Sequence, residues 1–167
     1  MQLRQAGRGD APALTDLINR AFGVERFYAV GDRITVEQVE EHLGRGEFFV
    51  LTDEDGLAGC VYVERRGQRS YVGLLSIDPA RQHAGLGSRL LAVAEDRARG
   101  WGCVHMDMLI VNHRTELPPY YGRRGYVETG TAPFPSTTPT TMPCHFICMS
   151  KALRQEEPRR AAVVAES

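Results

Sequence analysis

Residues 74–88 read LLSIDPARQHAGLGS, and this segment decides the fold class. Its apolar beginning is typical of a strand that ends near Ile77. From Leu86 to Trp101 the apolar residues recur at helical spacing. A strand, a glycine loop and a helix in this order bring several backbone N–H groups together at a helix N-terminus, which is a geometry that binds phosphate. The segment therefore predicts a crossover unit with an anion-binding loop.

The loop differs from two common nucleotide-binding loops. It lacks the Gly-Lys-Ser/Thr ending of a nucleoside triphosphate loop and the third spaced glycine of a dinucleotide fingerprint. The strand before it also follows a meander instead of opening a first β-α turn. Both nucleotide interpretations are disfavoured, while a glycine turn that serves packing alone stays open.

The flanking sequence predicts the rest of the sheet. Thr35 and Gln38 have capping-box spacing, and Asp10 with Pro12 is typical of a helix start. The predicted elements, in chain order, are a strand at 2–5, helices from 10 and 35, strands at 48–52, 57–63 and 69–77, a helix at 86–101, a strand at 103–111, a helix at 116–124, and strands at 126–131 and 145–151. The pattern predicts a mixed α/β sheet with an antiparallel first half.

Length and charge restrict the class of protein. The chain has 167 residues, 43% apolar and 25% charged, which suits one globular domain, predicted here at 1–151 with a disordered tail at 152–167. The net charge of −1 disfavours nucleic acid and anionic membranes as partners. The sequence shows neither a cleavable signal pattern nor a long apolar span, so we expect a soluble, cytoplasmic protein.

Basic residues and cysteines carry little specific signal. Lys151 is the only lysine, so an arginine at any one position is weak evidence of phosphate binding. The four cysteines are scattered, which suggests reduced thiols. Cys144, His145 and Cys148 alternate faces on one predicted strand without a second cluster, so we predict no metal site.

Three short motifs together resemble those of the GNAT superfamily of acyl-CoA N-acyltransferases. They are Gln82-x-x-Gly85-x-Gly87, the preceding Ile77-x-Pro79, and the later Tyr121-x-x-x-Gly125-Tyr126, and the resemblance covers residues 1–151. Residues 25–27, 31–33 and 114–117 also look like those of a bacterial acetyltransferase subgroup. The resemblance implies a mixed, mostly antiparallel sheet, split between its fourth and fifth strands, flanked by about four helices and holding acetyl-CoA in the gap.

The resemblance also implies a cofactor site. A β-bulge near 75–77 would free backbone groups for the pantetheine arm, and an N–H there would stabilise the oxyanion. The family often has asparagine at the position of Arg114, whereas here the asparagine is Asn112. Arg114 either reaches a cofactor phosphate or a substrate carboxylate, or pairs with Glu116 at the surface. The implied cofactor-binding residues are Leu75, Ser76, Ile77, Gln82, His83, Ala84, Gly85, Leu86, Gly87, Ser88, Asn112 and Arg114.

Tyr121 lies where the family has the residue that protonates the departing thiolate. The alternative is that Tyr121 only packs while Tyr120 faces the cofactor. For the base that takes the amine proton, Glu64, Glu25 and His113 are candidates, each with a solvated surface role as the alternative. The acceptor itself is expected at the first two helices and the loop 22–33, with Glu25, Tyr28, Arg33 and Glu64 as weak candidates.

The predicted function is transfer of an acetyl group from acetyl-CoA to a primary amine of a small molecule or peptide, by direct attack. Transfer of a longer acyl group is a second enzymatic reading. A non-catalytic acyl-CoA-binding sensor or interaction domain is the alternative from another class. A homodimer is possible.

Overall fold

The computed structural model describes residues 1–81 and 85–153. In this part of the chain one sheet of seven strands is flanked by four α-helices. The strands are β1 (Gln2–Gln5), β2 (Glu47–Asp53), β3 (Gly56–Arg66), β4 (Arg69–Ile77), β5 (His105–Val111), β6 (Val127–Pro133) and β7 (His145–Ala152), and the helices are α1 (Ala11–Ala21), α2 (Val36–Arg45), α3 (Leu86–Gly100) and α4 (Leu117–Gly122). This architecture confirms the predicted mixed α/β fold.

The sheet is split in its middle. Its strand order is β1-β2-β3-β4-β5-β7-β6, and every neighbouring pair is antiparallel except β4 with β5. That parallel pairing covers only 69–71 against 105–107. The two strands then diverge, which confirms the predicted split between the fourth and fifth strands.

The two N-terminal helices differ in how their first turns are capped. At α2 the Thr35 hydroxyl accepts from the Gln38 N–H at 3.2 Å and the Gln38 amide oxygen accepts from the Thr35 N–H at 3.0 Å, so the capping box is confirmed. At α1 the predicted start is confirmed, with Asp10 at the N-cap position and Pro12 in the first turn, but the Asp10 side chain makes no capping hydrogen bond. The Asp10 carboxylate binds the Arg4 guanidinium and the N–H of Gly7 instead, and the hydrogen bond from Arg4 holds the pKa of Asp10 below its usual value.

Two apolar cores cover the two faces of the sheet. One lies beneath α1 and α2, where Leu14, Leu17 and Ile18 are fully buried. The other lies beneath α3 and α4, with Leu90 and Ala94 fully buried. The split between β4 and β5 therefore opens between two helical layers.

The C-terminal end of the sheet extends past the predicted domain boundary at 151. Ala152 pairs with His105 at the edge of β5, and Leu153 is buried, so these two residues belong to the fold. The rest of the predicted tail, 154–167, lies outside the described residues.

All four cysteines are free thiols. Among the described helices none is long and apolar enough to cross a bilayer.

Candidate functional site

The divergence of β4 and β5 opens a cleft of about 670 Å³. Both strands line it, together with the start of α3, α4, the loop 22–33 and the loop after β6. The predicted site residues that line it are Glu25, Arg33, Leu75, Ser76, Ile77, Gly85, Leu86, Gly87, Ser88, Arg114 and Tyr121. Eleven predicted site residues from separate segments of the sequence thus line the same cleft.

A bulge interrupts β4 where it borders the cleft. Cys60 pairs with Ser76 while Tyr62 pairs with Gly73, so two residues of β4 lie opposite one residue of β3. Leu74 takes up the irregularity with φ of 52°, a left-handed conformation that is rare for a bulky residue. The structure confirms the predicted bulge, which begins one residue before the expected range and includes Leu75. Beyond residue 71, the edge of β4 that faces β5 has no partner strand.

The start of α3 forms one end of the cleft. Gly85 caps the helix in the left-handed region, with φ of 72°, and the first intrahelical bond runs from the Arg89 N–H to the Gly85 carbonyl at 3.0 Å. The N–H groups of Leu86, Gly87 and Ser88 precede that bond and have no partner within the helix. These donors, with the positive end of the helix dipole, favour an anion here. Gln82, His83 and Ala84 lie outside the described residues.

Arg124 brings a cation to the same end, and sequence reasoning did not select it. Its guanidinium donates to the Ser88 hydroxyl at 2.6 Å and to the Tyr120 carbonyl at 2.9 Å, and it stacks on the Tyr120 ring at 3.7 Å. No carboxylate pairs with Arg124 in the described part of the chain. The one sequence signal for Arg124 is its position inside the motif from Tyr121 to Tyr126. The large number of arginines in the chain made that signal weak.

Tyr121 lies on α4 and lines the cleft. It is 8% exposed, and its ring packs edge-on against Tyr120 and Tyr126, with ring centroids 5.1 and 5.9 Å away. Burial raises the pKa of its phenol to about 12. The hydroxyl therefore stays protonated at neutral pH and keeps its proton to donate.

Arg114 follows the end of β5 and lines the cleft, and two carboxylates bind it. Its guanidinium donates to Glu116 at 2.9 Å and to Glu25 at 2.8 Å. The predicted pairing with Glu116 is present, but the side chain of Arg114 is only 18% exposed and its second partner comes from the loop 22–33. The ion pair therefore fastens that loop to the end of β5.

Replacing Arg114 with glutamine is expected to lower the free energy of unfolding by about 1 to 3 kcal/mol, because Glu25 then keeps a nearly buried charge without its partner. Urea unfolding curves measure the change. Glu116→Gln is the control, since the Glu116 side chain is 61% exposed and its loss should change stability by less than about 0.5 kcal/mol. Equal, small effects of the two substitutions would contradict a structural role for the Glu25 pair.

A second loop closes the far side of the cleft. Thr141, in the segment between β6 and β7, donates from its N–H to the Tyr28 carbonyl at 2.9 Å and from its hydroxyl to the Phe27 carbonyl at 2.8 Å. Val30 donates to the Pro139 carbonyl at 3.2 Å. Sequence reasoning assigned the first two helices and the loop 22–33 to this region, because nothing local predicts that residues more than 100 positions later bind the loop.

Three predicted site residues do not line the cleft. Asn112 accepts from the His145 N–H at 2.9 Å and so joins β5 to β7. The Tyr28 ring is fully buried against Phe27, and burial raises its pKa.

Glu64 is the third, since Tyr62 and Arg66 donate to it at 2.6 and 2.7 Å, away from the cleft. Of the other two candidate bases, His113 binds the Pro143 carbonyl at 2.7 Å and does not line the cleft either. Only Glu25 lines the cleft, and it pairs with Arg114.

Comparison with known proteins adds a family match. The sequence matches the family described as acetyltransferase (GNAT) domain over residues 18–136. An amino-acid acetyltransferase of Neisseria meningitidis is 28% identical over 139 residues, which cover 82% of this chain and 30% of that protein. Glucosamine 6-phosphate N-acetyltransferase 1 of Oryza sativa is 36% identical over 93 residues, 49% of this chain and 54% of that protein. The chain thus spans less than two thirds of either curated relative.

A solved structure shares the fold. N-acetylglutamate synthase from Neisseria gonorrhoeae, crystallised with coenzyme A and N-acetyl-glutamate, superposes with a TM-score of 0.67 at 23% identity. The superposition covers 92% of this chain and 35% of that one. The described sheet and helices therefore follow a known arrangement nearly from end to end.

Proposed function

The chain belongs to the GNAT acetyltransferase family, and on this premise we propose that it transfers an acetyl group from acetyl-CoA to a primary amine of a small molecule by direct attack. One observation carries the proposal. A bulged strand edge, a helix N-terminus whose first N–H groups have no partner within the helix, and a buried, protonated tyrosine border a single cleft. These are the groups that thioester aminolysis needs for binding the donor, stabilising an oxyanion and supplying a proton.

The residues of the cleft fit a CoA thioester. The N–H groups of Leu86, Gly87 and Ser88 would bind the pyrophosphate, and the absence of a side chain at Gly87 leaves room for it. Arg124 would add a cation that matches a phosphate. The unpaired edge of β4 at 75–77 would bind the pantetheine arm through its backbone.

Tyr121 would act on the departing sulfur. A phenol with a pKa of about 12 is a weak acid, so its hydroxyl first stabilises the developing thiolate by a hydrogen bond. Burial beside Tyr121 would also raise the pKa of the thiol that forms, which favours transfer of the proton. The attacking amine must meanwhile lose a proton. Among the candidate bases Glu25 lines the cleft, so its carboxylate, directly or through a water, would take that proton.

The acceptor would enter between the loop 22–33 and the loop after β6. The names of the curated relatives give an amino acid and an amino-sugar phosphate as acceptors, both of them small amines. This supports a small-molecule acceptor over a peptide. We further propose a cytoplasmic protein of one domain, a homodimer being possible, that does not act on nucleic acid or membranes.

Replacing Arg124 with glutamine is expected to weaken CoA binding about 10-fold or more, because one charge-assisted contact to phosphate is lost. Calorimetric titration measures it. The matched control is Arg123→Gln, since Arg123 is the exposed neighbour outside the cleft. If Arg124 meets the pyrophosphate, CoA and 3′-dephospho-CoA lose affinity equally; unchanged affinity for both would contradict the assignment.

Release of free thiol from acetyl-CoA across a panel of amines tests the proposed function. Amine-dependent release is expected for at least one class of acceptor. A non-catalytic sensor would bind acetyl-CoA yet release no thiol with any amine. The curated relatives described above are named as acetyltransferases, which gives the sensor alternative no support.

A further inference from the structure

The acceptor end of the cleft contains one arginine that has no carboxylate partner in the described residues. Three arginines line it, and two of them face a carboxylate that also lines the cleft. Arg114 binds Glu25 at 2.8 Å, and Arg26 lies 3.8 Å from Asp32. Arg33 has no carboxylate within ion-pair distance among residues 1–81 and 85–153. Arg33 is therefore the cleft cation at this end that lacks an ion-pair partner in the described residues.

Arg33 is also held in place. Its guanidinium stacks over the Phe22 ring, 5.3 Å from the ring centroid. The next residue, Ile34, is buried, and its backbone exchanges two hydrogen bonds with the Asn19 side chain, at 2.9 and 3.0 Å. These contacts fix the chain beside Arg33 to α1, so less entropy is lost when its N–H groups bind a ligand.

The position of Arg33 separates it from the expected phosphates of the donor. Phe22 and Asn19 belong to the layer of α1 and α2, whereas Arg124 and the first turn of α3 belong to the opposite layer. An anion that binds Arg33 would therefore be part of the acceptor. A planar guanidinium with one face on an aromatic ring keeps its N–H edge free for a carboxylate or a phosphate.

On the basis of the proposed amine acetylation, we propose that the acceptor carries an anionic group, a carboxylate or a phosphate, that the Arg33 guanidinium binds. The substrate class is thus an amine with a second, negatively charged end. Glu25 and Asp32 repel such a ligand less than bare carboxylates would, because Arg114 and Arg26 partly compensate their charges.

Matched pairs of acceptors test this inference. One arm compares α-amino acids with their amides, and the other compares glucosamine 6-phosphate with glucosamine. Thiol release from acetyl-CoA gives kcat/KM for each compound with wild type, Arg33→Gln, Arg33→Lys and the control Arg65→Gln. Arg65 is exposed on the β3–β4 hairpin, outside the cleft. The ratio between the variants cancels the different nucleophilicity of the paired amines.

Wild type should prefer the anionic member of one pair. Arg33→Gln should reduce that preference about 10- to 100-fold, while the neutral member is unaffected. Arg33→Lys should retain part of the preference, and Arg65→Gln should retain all of it. The arm that responds identifies the anion as carboxylate or phosphate.

An unchanged preference in Arg33→Gln, or a wild-type preference for the neutral amines, would overturn the inference and leave the acetylation proposal intact. Calorimetric binding of the same compounds to the CoA-loaded protein separates the two ideas further. Binding of the anionic amines that depends on Arg33, without any thiol release, would support the anion site and contradict the transferase. Absence of both binding and release would overturn both.

Discussion

Gly87→Val is expected to lower the affinity for CoA at least about 100-fold, because two or more N–H groups of the α3 terminus then lose their contact with phosphate. A Cβ at Gly87 already comes within 3.3 Å of the Tyr120 hydroxyl, so the branches of valine must occupy the space in front of the helix. The backbone at Gly87 is helical and free of positive φ, so the fold should survive. Titration calorimetry and a thermal unfolding curve measure the two effects.

The matched control lies at the other end of the same helix. Gly100 also has no positive φ, and a Cβ there meets nothing within 4 Å. Gly100→Val should therefore bind CoA as wild type does. Gly85 is a poorer test position because its φ of 72° makes any side chain strained. CoA binding that is unaffected in Gly87→Val would mean that the pyrophosphate lies elsewhere.

Tyr121→Phe is expected to lower turnover about 100-fold or more, with acetyl-CoA affinity nearly unchanged. The substitution keeps the ring that packs between Tyr120 and Tyr126 and removes only the donor. Steady-state kinetics with a competent acceptor, together with calorimetric binding of acetyl-CoA, measures both quantities. Near-normal turnover would show that another group supplies the proton.

Tyr120→Phe is the control for that experiment. The Tyr120 hydroxyl lies 3.3 Å from the Ser88 hydroxyl, beside the helix terminus, so its loss should reduce turnover only a few-fold. The reverse pattern would make Tyr120 the proton donor.

The rate profile gives a second check, because burial raises the pKa of Tyr121 to about 12. The phenol then stays protonated across the assay range, and wild type should show no loss of rate from Tyr121 ionisation below that pH. A fall between about pH 8 and 10 that vanishes in Tyr121→Phe would mean a phenol close to its ordinary pKa.

Local sequence patterns predicted much of the fold. Both ends of β4 fall where alternation and flanking turns indicated, and the Thr35 capping box sets the start of α2. Gly87 lies at the start of α3 and Tyr121 lies on α4, as expected, and both line the cleft. Such features depend on residues close together in the chain, which is why periodicity and capping chemistry reveal them.

Sequence patterns did not reveal which side chains pair with one another. The Asp10 side chain makes no capping hydrogen bond to α1, because its carboxylate binds Arg4 and the Gly7 N–H. Arg114 binds Glu25, 89 positions away, and Arg124 binds Ser88, 36 positions away. Because the chain contains many arginines, the partner of each one becomes apparent only in the folded structure.

A crystal structure of the protein with CoA tests the central claim most directly. We expect the pyrophosphate oxygens within hydrogen-bond distance of the N–H groups of Leu86, Gly87 and Ser88, the pantetheine arm between β4 and β5, and the sulfur beside the Tyr121 hydroxyl. CoA bound outside this cleft, or within it with the sulfur remote from Tyr121, would contradict the account.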